Sequence, residues 1–510
     1  MAGNFTINKH HYSNFQAYML FLGIDLGSSS IKLSVFNAVT GQIACSLTVP
    51  ENEMAINAPY FGWAEQEPEK WWEYIKDGIK ALPAKGVDVK AIKGIGIAYQ
   101  MHGLVLTDEN LNPVRPSIIW CDSRAAETGD AIYQQMGTEA CQQTLLGSPG
   151  NFTAAKLKWV KDNEPDTYAR ARYMMLPGDY IAAMLTGRAQ TTASGLSEAA
   201  LWNFKEARPA TEVLDAMQIT HDFIPEVVPT FGHQAVISTA IAAELGLAEG
   251  TEVTYRAGDQ PNNALSLSVL NPGEIATTAG TSAVIYSVTQ ANAFDADNRV
   301  NTFLHVNNTP EQHSNGVLLC INGSGILYQW LRKTLSLGSS APISYELLNA
   351  EAAKAEPGSK GLRFYPFGNG VERIFGNKPA FSGIQNLNFN IHQSPELVRA
   401  ACEGIVFAMN YGFDIMKDIN AGGTLVKAGN ANLFLSPVFR EIFVNTTQTT
   451  LELYNTGGAE GAARGAAYGF GYFKTAQEAF ANLERLQTIT PTPELTKLYA
   501  EIYQNWKNNL

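Results

Sequence analysis

The chain lacks the two glycine-rich patterns by which many proteins bind nucleotides. No Gly-Lys dipeptide occurs in its 510 residues, which excludes a P-loop, and no Gly-x-Gly-x-x-Gly pattern opens a helix. Any nucleotide that this protein binds must therefore be held in another way.

Cysteines and long apolar runs are also scarce. The five cysteines are odd in number, scattered, and never spaced as Cys-x-x-Cys, which argues against a disulfide framework and a zinc site. No apolar run approaches the roughly 18 residues that a membrane span needs. The first residues also lack the basic, apolar and small segments of a signal peptide. We therefore expect a cytoplasmic protein with reduced thiols and no membrane partner.

Basic residues are fewer than acidic ones: the chain has 36 Lys and Arg against 48 Asp and Glu, and its net charge is −12. This balance argues against nucleic acid or an anionic membrane as a partner, although a local basic pocket could still bind a small anion. With 45% hydrophobic and 16% charged residues, the chain can bury a large interior. Because 510 residues exceed what one hydrophobic core normally serves, two domains are expected.

Strand-like and helix-like stretches alternate along the chain, which indicates an α/β architecture. Short buried strands are predicted at residues 94–99, 274–278 and 425–428, and helices at 68–82, 154–162, 395–419 and 437–447. Prolines and asparagines cluster between Gln260 and Gly273. We place the boundary there, with an N-terminal domain at residues 20–262 and a C-terminal domain at 263–510. Residues 1–19 are expected to form an N-terminal extension.

Residues 23–32 read Gly-Ile-Asp-Leu-Gly-Ser-Ser-Ser-Ile-Lys, and their flanks are rich enough in β-branched and aromatic residues to pair as a hairpin. Gly27 would supply the turn, and Asp25 would lie at the end of the first strand. The backbone amides and serine hydroxyls of such a turn can cradle phosphate oxygens, and Asp25 can hold a hydrated Mg²⁺ ion beside them. Taken alone, the motif fits an ordinary hairpin turn equally well.

Three further glycine-bearing segments follow strand-like runs and could offer backbone amides to an anion. They are residues 278–282, 427–432 and 455–467. In the first, Gly280 permits close approach, and the Thr281 hydroxyl could reach a terminal phosphate. The small residues of the third would also let a helix pack tightly. For any one of the three, a helix cap or close helix packing is the more common explanation.

Asp259, in the sequence Ala-Gly-Asp-Gln near the predicted domain boundary, is the candidate catalytic base. A carboxylate between domains can take a proton from a substrate hydroxyl when the cleft excludes water. The alternative is an Asx-turn residue that caps the next segment. Gln100 and His102 follow the strand at 94–99 and could hydrogen-bond a polyol. A lone histidine is more often structural, so His102 is a candidate only in this company.

The chain resembles the FGGY carbohydrate kinases from about residue 20 to about residue 475. The opening hairpin and the segments 94–103, 119–124, 152–160, 176–180, 257–260, 279–282 and 428–430 follow the family's order. The resemblance implies two domains of the actin-like ATPase, or ribonuclease H-like, fold, with an active-site cleft between them. Within the family, Gln-Met-His-Gly, Trp-x-Asp-x-Arg and Phe-Thr-Ala-x-Lys-Leu most resemble xylulokinases. The implied reaction is ATP-dependent phosphorylation of the terminal hydroxyl of a ketopentose, D-xylulose to D-xylulose 5-phosphate.

The resemblance also implies roles for the residues that match the family's motifs. Asp259 resembles the catalytic base, and Asp25 resembles the residue that organises Mg²⁺. The implied sugar-binding residues are Gln100, Met101, His102, Trp120, Asp122, Arg124, Asp259 and Gln260. The implied ATP-binding residues are Gly27, Ser28, Ser29, Lys32, Gly280, Thr281, Gly429 and Asn430.

Some positions depart from the family pattern and leave the sugar open. Ala428 stands where the family usually has a glycine, Gln260 after Asp259 also resembles glycerol kinases, and residues 381–403 are longer than the family's second signature. Ribulose, rhamnulose and glycerol therefore remain alternative acceptors. A non-enzymatic actin-like ATP-binding protein would not need Asp259 or Gln-Met-His-Gly. A sugar-responsive regulator would need a DNA-reading helix pair, and the sequence shows none. A homodimer is left open.

Overall fold

The computed structural model describes residues 19–337, 341–376 and 378–510. Apart from Met19, the predicted N-terminal extension lies outside the described residues. The strands are β1 Leu20–Leu26, β2 Ile31–Asn37, β3 Gln42–Val49, β4 Glu65–Gln66, β5 Ile92–Tyr99, β6 Val105–Thr107, β7 Ser117–Ile118, β8 Tyr173–Met175, β9 Gln190–Thr192, β10 Trp202–Asn203, β11 Arg208–Pro209, β12 Glu226–Val228, β13 Phe231–Val236, β14 Glu252–Gly258, β15 Glu274–Ala279, β16 Ala283–Thr289, β17 Asn301–Leu304, β18 Asn315–Ile321, β19 Arg363–Tyr365, β20 Val371–Glu372, β21 Lys378–Pro379, β22 Gly383–Gln385, β23 Leu425–Gly429, β24 Thr450–Tyr454 and β25 Arg485–Ile489.

The α-helices alternate with these strands. They are α1 Pro68–Ala81, α2 Ala126–Met136, α3 Thr138–Leu145, α4 Thr153–Asn163, α5 Pro165–Arg170, α6 Pro177–Thr186, α7 Ala193–Glu198, α8 Thr211–Ala216, α9 Thr239–Leu245, α10 Asp259–Ser266, α11 Gly325–Leu335, α12 Tyr345–Ala352, α13 Ser394–Asp418, α14 Pro437–Thr447, α15 Gly458–Gly469, α16 Ala476–Ala479 and α17 Pro493–Lys507. The strands predicted at 94–99, 274–278 and 425–428 are confirmed as β5, β15 and β23, and the four predicted helices as α1, α4, α13 and α14.

The first large sheet has six strands: the meander β1–β3, two strands parallel to β1, and an antiparallel edge strand. Its strand order is β13-β14-β5-β1-β2-β3, in which β1, β5 and β14 run parallel and the others antiparallel. The predicted hairpin is confirmed as β1 and β2, with Asp25 opposite Lys32. Alternating apolar residues of β1, such as Leu22 and Ile24, are fully buried, which anchors this sheet in the larger hydrophobic core.

The second large sheet repeats this layout. Its order is β17-β18-β16-β15-β23-β24-β25, in which β15, β23 and β24 run parallel. The hairpin of β15 and β16 therefore corresponds to that of β1 and β2, and the turn at Gly280 corresponds to the turn at Gly27. Two helix-flanked sheets of matching topology confirm the predicted α/β fold class of two actin-like domains.

The predicted boundary region contains a helix. Pro261, Asn262 and Asn263 lie inside α10, which follows β14 directly, and Asn271 and Pro272 form the turn before β15. The proline and asparagine cluster therefore marks the transition between the two sheets without forming a linker. The division at residue 262 stays a prediction.

Helix α15 follows the second sheet in sequence but packs against the first. A Cβ atom on Gly23 of β1 would collide with the Ala459 carbonyl oxygen, and one on Gly96 of β5 would collide with the Ala462 carbonyl oxygen. Glycines in two neighbouring strands thus let the helix backbone approach the sheet closely. The close packing considered for residues 455–467 is what the structure shows.

The cysteines and the helix hydrophobicity bear on the predictions of reduced thiols and no membrane span. The five cysteines, all within the described ranges, are unpaired, as predicted. None of the helices in the described part of the chain combines the length and hydrophobicity that a bilayer crossing requires.

Candidate active site

The carboxyl ends of three parallel strands meet at one edge of the first sheet. Asp25 of β1 lies opposite Ala98 of β5, and Gly258 of β14 lies opposite Tyr99 of β5. Because β5 lies between β1 and β14, the residues that follow these strands must converge. The structure therefore brings together Asp25, the loop at residues 100–103 and Asp259, which are far apart in sequence.

Asp259 is the first residue of α10 and is half-buried. Burial and the nearby negative charge of Asp25 raise the pKa of Asp259 to about 7, although hydrogen bonds from Gln260 oppose this. A carboxyl group with a pKa near neutrality is suited to accept a proton.

Asp25 lies between a lysine and a helix N-terminus. Burial raises its pKa, and the facing Lys32 partly offsets that rise. A Cβ atom on Gly458, the first residue of α15, would collide with the Asp25 carboxylate. This explains the glycine at that position, and the helix N-terminus favours a nearby negative charge. The Lys32 side chain itself is exposed.

Gln100 belongs to a chain of amide groups beneath the first hairpin turn. Its Nε2 donates to Gln66 Oε1 at 3.2 Å, Trp71 Nε1 donates to the same oxygen at 3.2 Å, and Gln66 Nε2 donates to the Ser28 carbonyl at 2.7 Å. Gln100 Oε1 is buried and has no hydrogen-bond partner among the described residues. This chain connects the loop at 100–103 to the serine-rich turn, and it leaves one acceptor unsatisfied.

His102 is held in an unusual conformation with a defined tautomer. Its φ of +61° lies in the left-handed region that bulky residues rarely adopt. His102 Nδ1 lies 2.9 Å from the Glu198 backbone carbonyl, which can only accept, so Nδ1 carries the proton. Burial and the charge of Lys156 lower the pKa of His102 to about 3, so the ring is neutral at physiological pH. Nε2 is then a hydrogen-bond acceptor.

Two buried charged residues that sequence reasoning missed hold the peptide of His102. Lys156 of α4 donates from Nζ to the His102 carbonyl at 2.7 Å and to the Ile119 carbonyl at 3.0 Å. Burial lowers the pKa of Lys156 to about 7. On the other side, Glu198 Oε2 accepts the His102 backbone N–H at 3.2 Å. Lys156 lies inside a motif quoted for the family, but nothing in the sequence indicated Glu198.

Asp122 and Arg124 form a buried ion pair. Arg124 Nη2 lies 2.7 Å from Asp122 Oδ2, and the guanidinium stacks 3.6 Å from the Trp63 ring centroid. The Ala64 amide also donates to Asp122, and Glu65 pairs with Arg124 at 2.8 Å. The partners that the structure shows for this pair thus include Trp63, Ala64 and Glu65.

Trp120 and Met101 differ in exposure. Trp120 is 52% exposed, and its Nε1 lies 3.4 Å from Ser28 Oγ, which connects its loop to the first hairpin turn. Met101 is buried, and a Cβ atom on Gly258 would come close to its side chain. Both residues therefore lie beside the site, Trp120 at its solvent edge and Met101 beneath the start of α10.

Aromatic residues from both halves of the chain surround His102. Its ring lies 4.4 Å from Phe152 and 5.4 Å from Phe303 of β17, measured between ring centroids. Arg373 Cζ lies 6.0 Å from the Phe152 ring centroid, and burial lowers the pKa of its guanidinium to about 10. The second half thus contributes a phenylalanine and an arginine that sequence reasoning did not select.

The predicted phosphate turn of the first sheet has the expected shape. The Gly27 N–H donates to the Ser30 carbonyl at 3.1 Å, which closes the turn. Ser28 is half-buried, and Ser29 is exposed at the end of the turn. The turn therefore presents hydroxyl groups to solvent beside Asp25.

A cavity of about 580 Å³ opens at the corresponding turn of the second sheet. The Gly325 and Ile326 amides at the start of α11 donate to the Gly280 and Thr281 carbonyls at 2.9 and 3.1 Å. The lining residues are Ala279, Gly280, Thr281, Gly325, Ile326, Tyr328, Gln329, Tyr345, Glu346, Asn349, Asn432, Leu433 and Leu435. Gly280 and Thr281 are thus placed at a cavity large enough for a small molecule.

Gly429 and Asn430 lie at the end of β23, next to but outside that lining. The Asn430 N–H donates to the Tyr454 carbonyl at 2.9 Å, and its Oδ1 accepts from Arg440 at 3.2 Å. Asn432, two residues later, lines the cavity. Of this loop, Asn432 contributes to the lining, while the roles of Gly429 and Asn430 in ATP binding stay predictions.

Comparison with known proteins gives a consistent result. The model of the FGGY family of carbohydrate kinases, N-terminal domain, matches residues 20–266, and that of the C-terminal domain matches residues 275–470. The chain is 29% identical to the xylulose kinase of Lactococcus lactis subsp. lactis over 505 residues, which covers 95% of each chain. It is also 29% identical to the xylulose kinase of Staphylococcus xylosus over 496 residues, covering 95% of this chain and 98% of the relative.

Solved structures show the same fold. The crystal structure of xylulose kinase from Rhodospirillum rubrum superposes with a TM-score of 0.86 at 22% identity, and the match covers 96% of this chain and 98% of that one. At this identity the likeness concerns the fold. It extends over both sheets, since the match covers 96% of this chain.

Proposed function

The chain belongs to the FGGY family of carbohydrate kinases, and on that basis we propose that it transfers the γ-phosphoryl group of ATP to the terminal hydroxyl of D-xylulose, forming D-xylulose 5-phosphate. The observation that carries the proposal is the position of Asp259. It lies at the converging strand ends, beside Asp25 and the loop that contains His102, with a pKa of about 7. A base of this kind in a cleft is what sugar phosphorylation requires.

In the proposed reaction, Asp259 accepts the proton of the sugar's terminal hydroxyl. The hydroxyl oxygen forms a bond to the γ-phosphorus, the bond between that phosphorus and the β–γ bridging oxygen breaks, and ADP leaves. Because such a transition state is loose, positioning and charge neutralisation provide most of the acceleration. The base therefore needs to accept the proton only late in the reaction.

We assign sugar binding to the edge formed by the loop at 100–103 and α10. Gln100 Oε1 and His102 Nε2 can accept hydrogen bonds from sugar hydroxyls, while Met101 and Gln260 contact the sugar on either side of Asp259. An unsatisfied buried acceptor such as Gln100 Oε1 favours a ligand that donates to it. The ligand class this arrangement favours is thus a polyhydroxy compound.

The loop at residues 119–124 has a supporting role in this proposal. The side chains of Asp122 and Arg124 are buried and hydrogen-bonded to each other, so we propose that the pair holds the loop in place. Trp120, which is exposed at the entrance, would then close over the sugar.

We propose that ATP bridges the two sheets. The turn with Gly27, Ser28 and Ser29 and the turn with Gly280 and Thr281 would hold the phosphates through backbone amides and hydroxyls. Lys32 would add positive charge near Asp25. The nucleoside would occupy the cavity next to Gly280, with Gly429 and Asn430 at its edge and Asn432 in its lining.

Asp25 is the residue that would hold Mg²⁺. The described residues contain no group of three or more His, Cys, Asp or Glu side chains placed to hold a metal by themselves. Asp25 would provide the carboxylate that Mg²⁺ uses when nucleotide phosphates and water supply its other ligands, which leaves Asp259 free to act as the base. When bound with ATP, Mg²⁺ would neutralise the charge on the transferring phosphoryl group.

The choice of sugar follows from the relatives, and the location follows from the cysteines. Xylulose is favoured because the curated relatives that cover 95% of the chain are xylulose kinases. Gln260 favours a second candidate, glycerol, since it also resembles glycerol kinases at that position. The unpaired cysteines support a reducing, cytoplasmic location.

A coupled assay of ADP release over pentuloses, hexuloses and polyols tests this function. We expect the highest kcat/KM with D-xylulose, and a ³¹P spectrum that places the phosphate on its terminal oxygen. Glycerol as the best acceptor would replace the sugar assignment with the second candidate. ATP hydrolysis that no acceptor stimulates would overturn the kinase proposal itself.

A further inference from the structure

Glu198 is a buried acid without a cationic partner. It ends α7, is 1% exposed, and forms no ion pair with a lysine or arginine among the described residues. Its Oε1 is buried, and the nearby side chain that can share a proton with the carboxyl is the neutral Tyr99 hydroxyl. Burying an unpaired carboxylate costs several kcal/mol, so such a group protonates instead. Burial accordingly raises the pKa of Glu198 well above its usual value, and the negative charge of Asp259 adds to the rise.

The position of Glu198 connects the two chemically important segments of the site. Its Oε2 accepts the His102 N–H at 3.2 Å. A Cβ atom on Gly258, the residue before Asp259, would lie 3.0 Å from Oε1 and 3.2 Å from Oε2. Any side chain on residue 258 would therefore press on the acid. Glu198 lies directly between the loop at 100–103 and the start of α10.

The conformation of His102 explains why this contact matters. A φ of +61° on a histidine carries strain that surrounding contacts must offset. The Glu198 carboxyl holds the amide of His102, and Lys156 holds its carbonyl. The backbone N–H and the backbone carbonyl of His102 are therefore both held. Because Nδ1 is also bonded to the Glu198 carbonyl, the imidazole presents Nε2 in a single orientation.

Building on the proposed sugar site, we infer that Glu198 is a positioning residue that acts as a neutral carboxylic acid. It holds the His102 peptide so that Nε2 meets the sugar, and it leaves Asp259 as the ionised carboxyl on that side of the site. A neutral acid in this place holds the amide without adding a second negative charge next to the base. The carboxyl does not touch the sugar, because both its oxygens face protein.

Two substitutions of Glu198 should have different kinetic effects. Glu198→Gln keeps an acceptor oxygen and remains neutral, so we expect kcat and both KM values within about threefold of the parent. Glu198→Ala leaves the His102 amide unsatisfied and the peptide free to relax. We expect the KM for the sugar to rise about tenfold or more, with kcat and the KM for ATP nearly unchanged. Equal damage by both substitutions, or none by Glu198→Ala, would overturn the inference.

A double-substitution cycle tests whether Glu198 acts through His102. If it does, Glu198→Ala adds little to the sugar KM once His102→Ala is present, because the positioned ring is already gone. Independent, multiplicative effects would contradict this. Glu403→Gln provides a matched control, since Glu403 is also buried but lies in the second half and pairs with Arg399. It should lower stability without a selective effect on the sugar KM.

A spectroscopic readout keeps the inference testable without turnover. In ¹⁵N spectra of the free protein, assigned with His102→Ala, Glu198→Ala should shift the His102 ring signals and Glu198→Gln should leave them nearly in place. Unmoved signals in Glu198→Ala would refute the positioning role. Failure of the proposed function would appear separately, as absence of acceptor-dependent ADP release in the unsubstituted protein.

Discussion

Asp25 lies near the end of β1 and Asp259 directly after β14, on either side of β5, and each is harder to ionise than an exposed aspartate. For Asp259 the two causes are burial and the charge of Asp25. A base with a pKa close to the working pH combines sufficient ionisation with a useful affinity for the proton. The same repulsion would decrease when a cation binds beside Asp25.

The pH dependence of the reaction follows from the pKa of Asp259. Only the ionised form accepts a proton, so kcat/KM for the sugar should fall about tenfold per pH unit below pH 7 when both substrates are dilute. His102, with a pKa of about 3, stays neutral over this range and adds no second loss. Initial rates from pH 5 to 8 measure this, and a constant kcat/KM down to pH 5 would contradict it.

The raised pKa of Asp259 also has a consequence for stability. Because the folded pKa is about 7 and the unfolded value 3.8, ionisation destabilises the free protein fully above pH 7 and progressively less as the pH falls toward 4. Asp259→Asn should therefore raise the free energy of unfolding at pH 8 by on the order of 1 kcal/mol. Urea denaturation at pH 8 and pH 4.5 measures the difference. A gain at pH 4.5 equal to that at pH 8 would refute this explanation.

At the scale of elements, helix α15 joins the second half of the chain to the first sheet. Gly96→Ala would place a methyl group against the Ala462 carbonyl, and we expect a loss of stability of about 2 kcal/mol from overpacking. Gly383→Ala is the matched control, since its nearest contact would be an ordinary 3.9 Å from the Tyr365 ring. Thermal unfolding of both variants gives the comparison. Equal melting temperatures would mean that the close approach of α15 is not a constraint.

Elements with local signals could be predicted from the sequence, and those fixed by distant contacts could not. The β1–β2 hairpin and helices α1, α4, α13 and α14 follow from turn residues, prolines and apolar spacing that lie within each segment. The small residues of α15 are compatible with a phosphate loop or with close packing. Close packing is established only by the contacts of α15 with Gly23 and Gly96, which lie more than 350 residues earlier in the chain.

In the candidate site, too, residues with local sequence motifs could be predicted, and residues that matter through distant contacts could not. Asp25, Asp259 and the loop at 100–103 carry motifs that mark them individually, and parallel strand order then explains why they converge. Glu198 carries no such motif, because its importance arises from burial beside Gly258 and His102. Phe303 and Arg373 belong to the second half, and no local pattern indicates that they reach His102.

At the scale of the whole molecule, the two large sheets have matching topology, and each has a hairpin turn, at Gly27 and at Gly280, that we propose binds phosphate. The proposed sugar site and the cavity beside Gly280 belong to different halves, so transfer requires the halves to approach. We expect the radius of gyration from small-angle scattering to decrease when D-xylulose and a non-hydrolysable ATP analogue are both present. Either ligand alone should produce a smaller change. Profiles unaffected by both ligands would contradict closure.

The central claim is that this family member is a sugar kinase with Asp259 as its base. Its most direct test is the rate of acceptor-dependent ADP release by Asp259→Ala, measured together with ATP affinity by calorimetry. The account predicts a loss of at least about a hundredfold in kcat with ATP affinity within about threefold of the parent, because the base touches the sugar hydroxyl and not the nucleotide. Normal turnover in Asp259→Ala would contradict it.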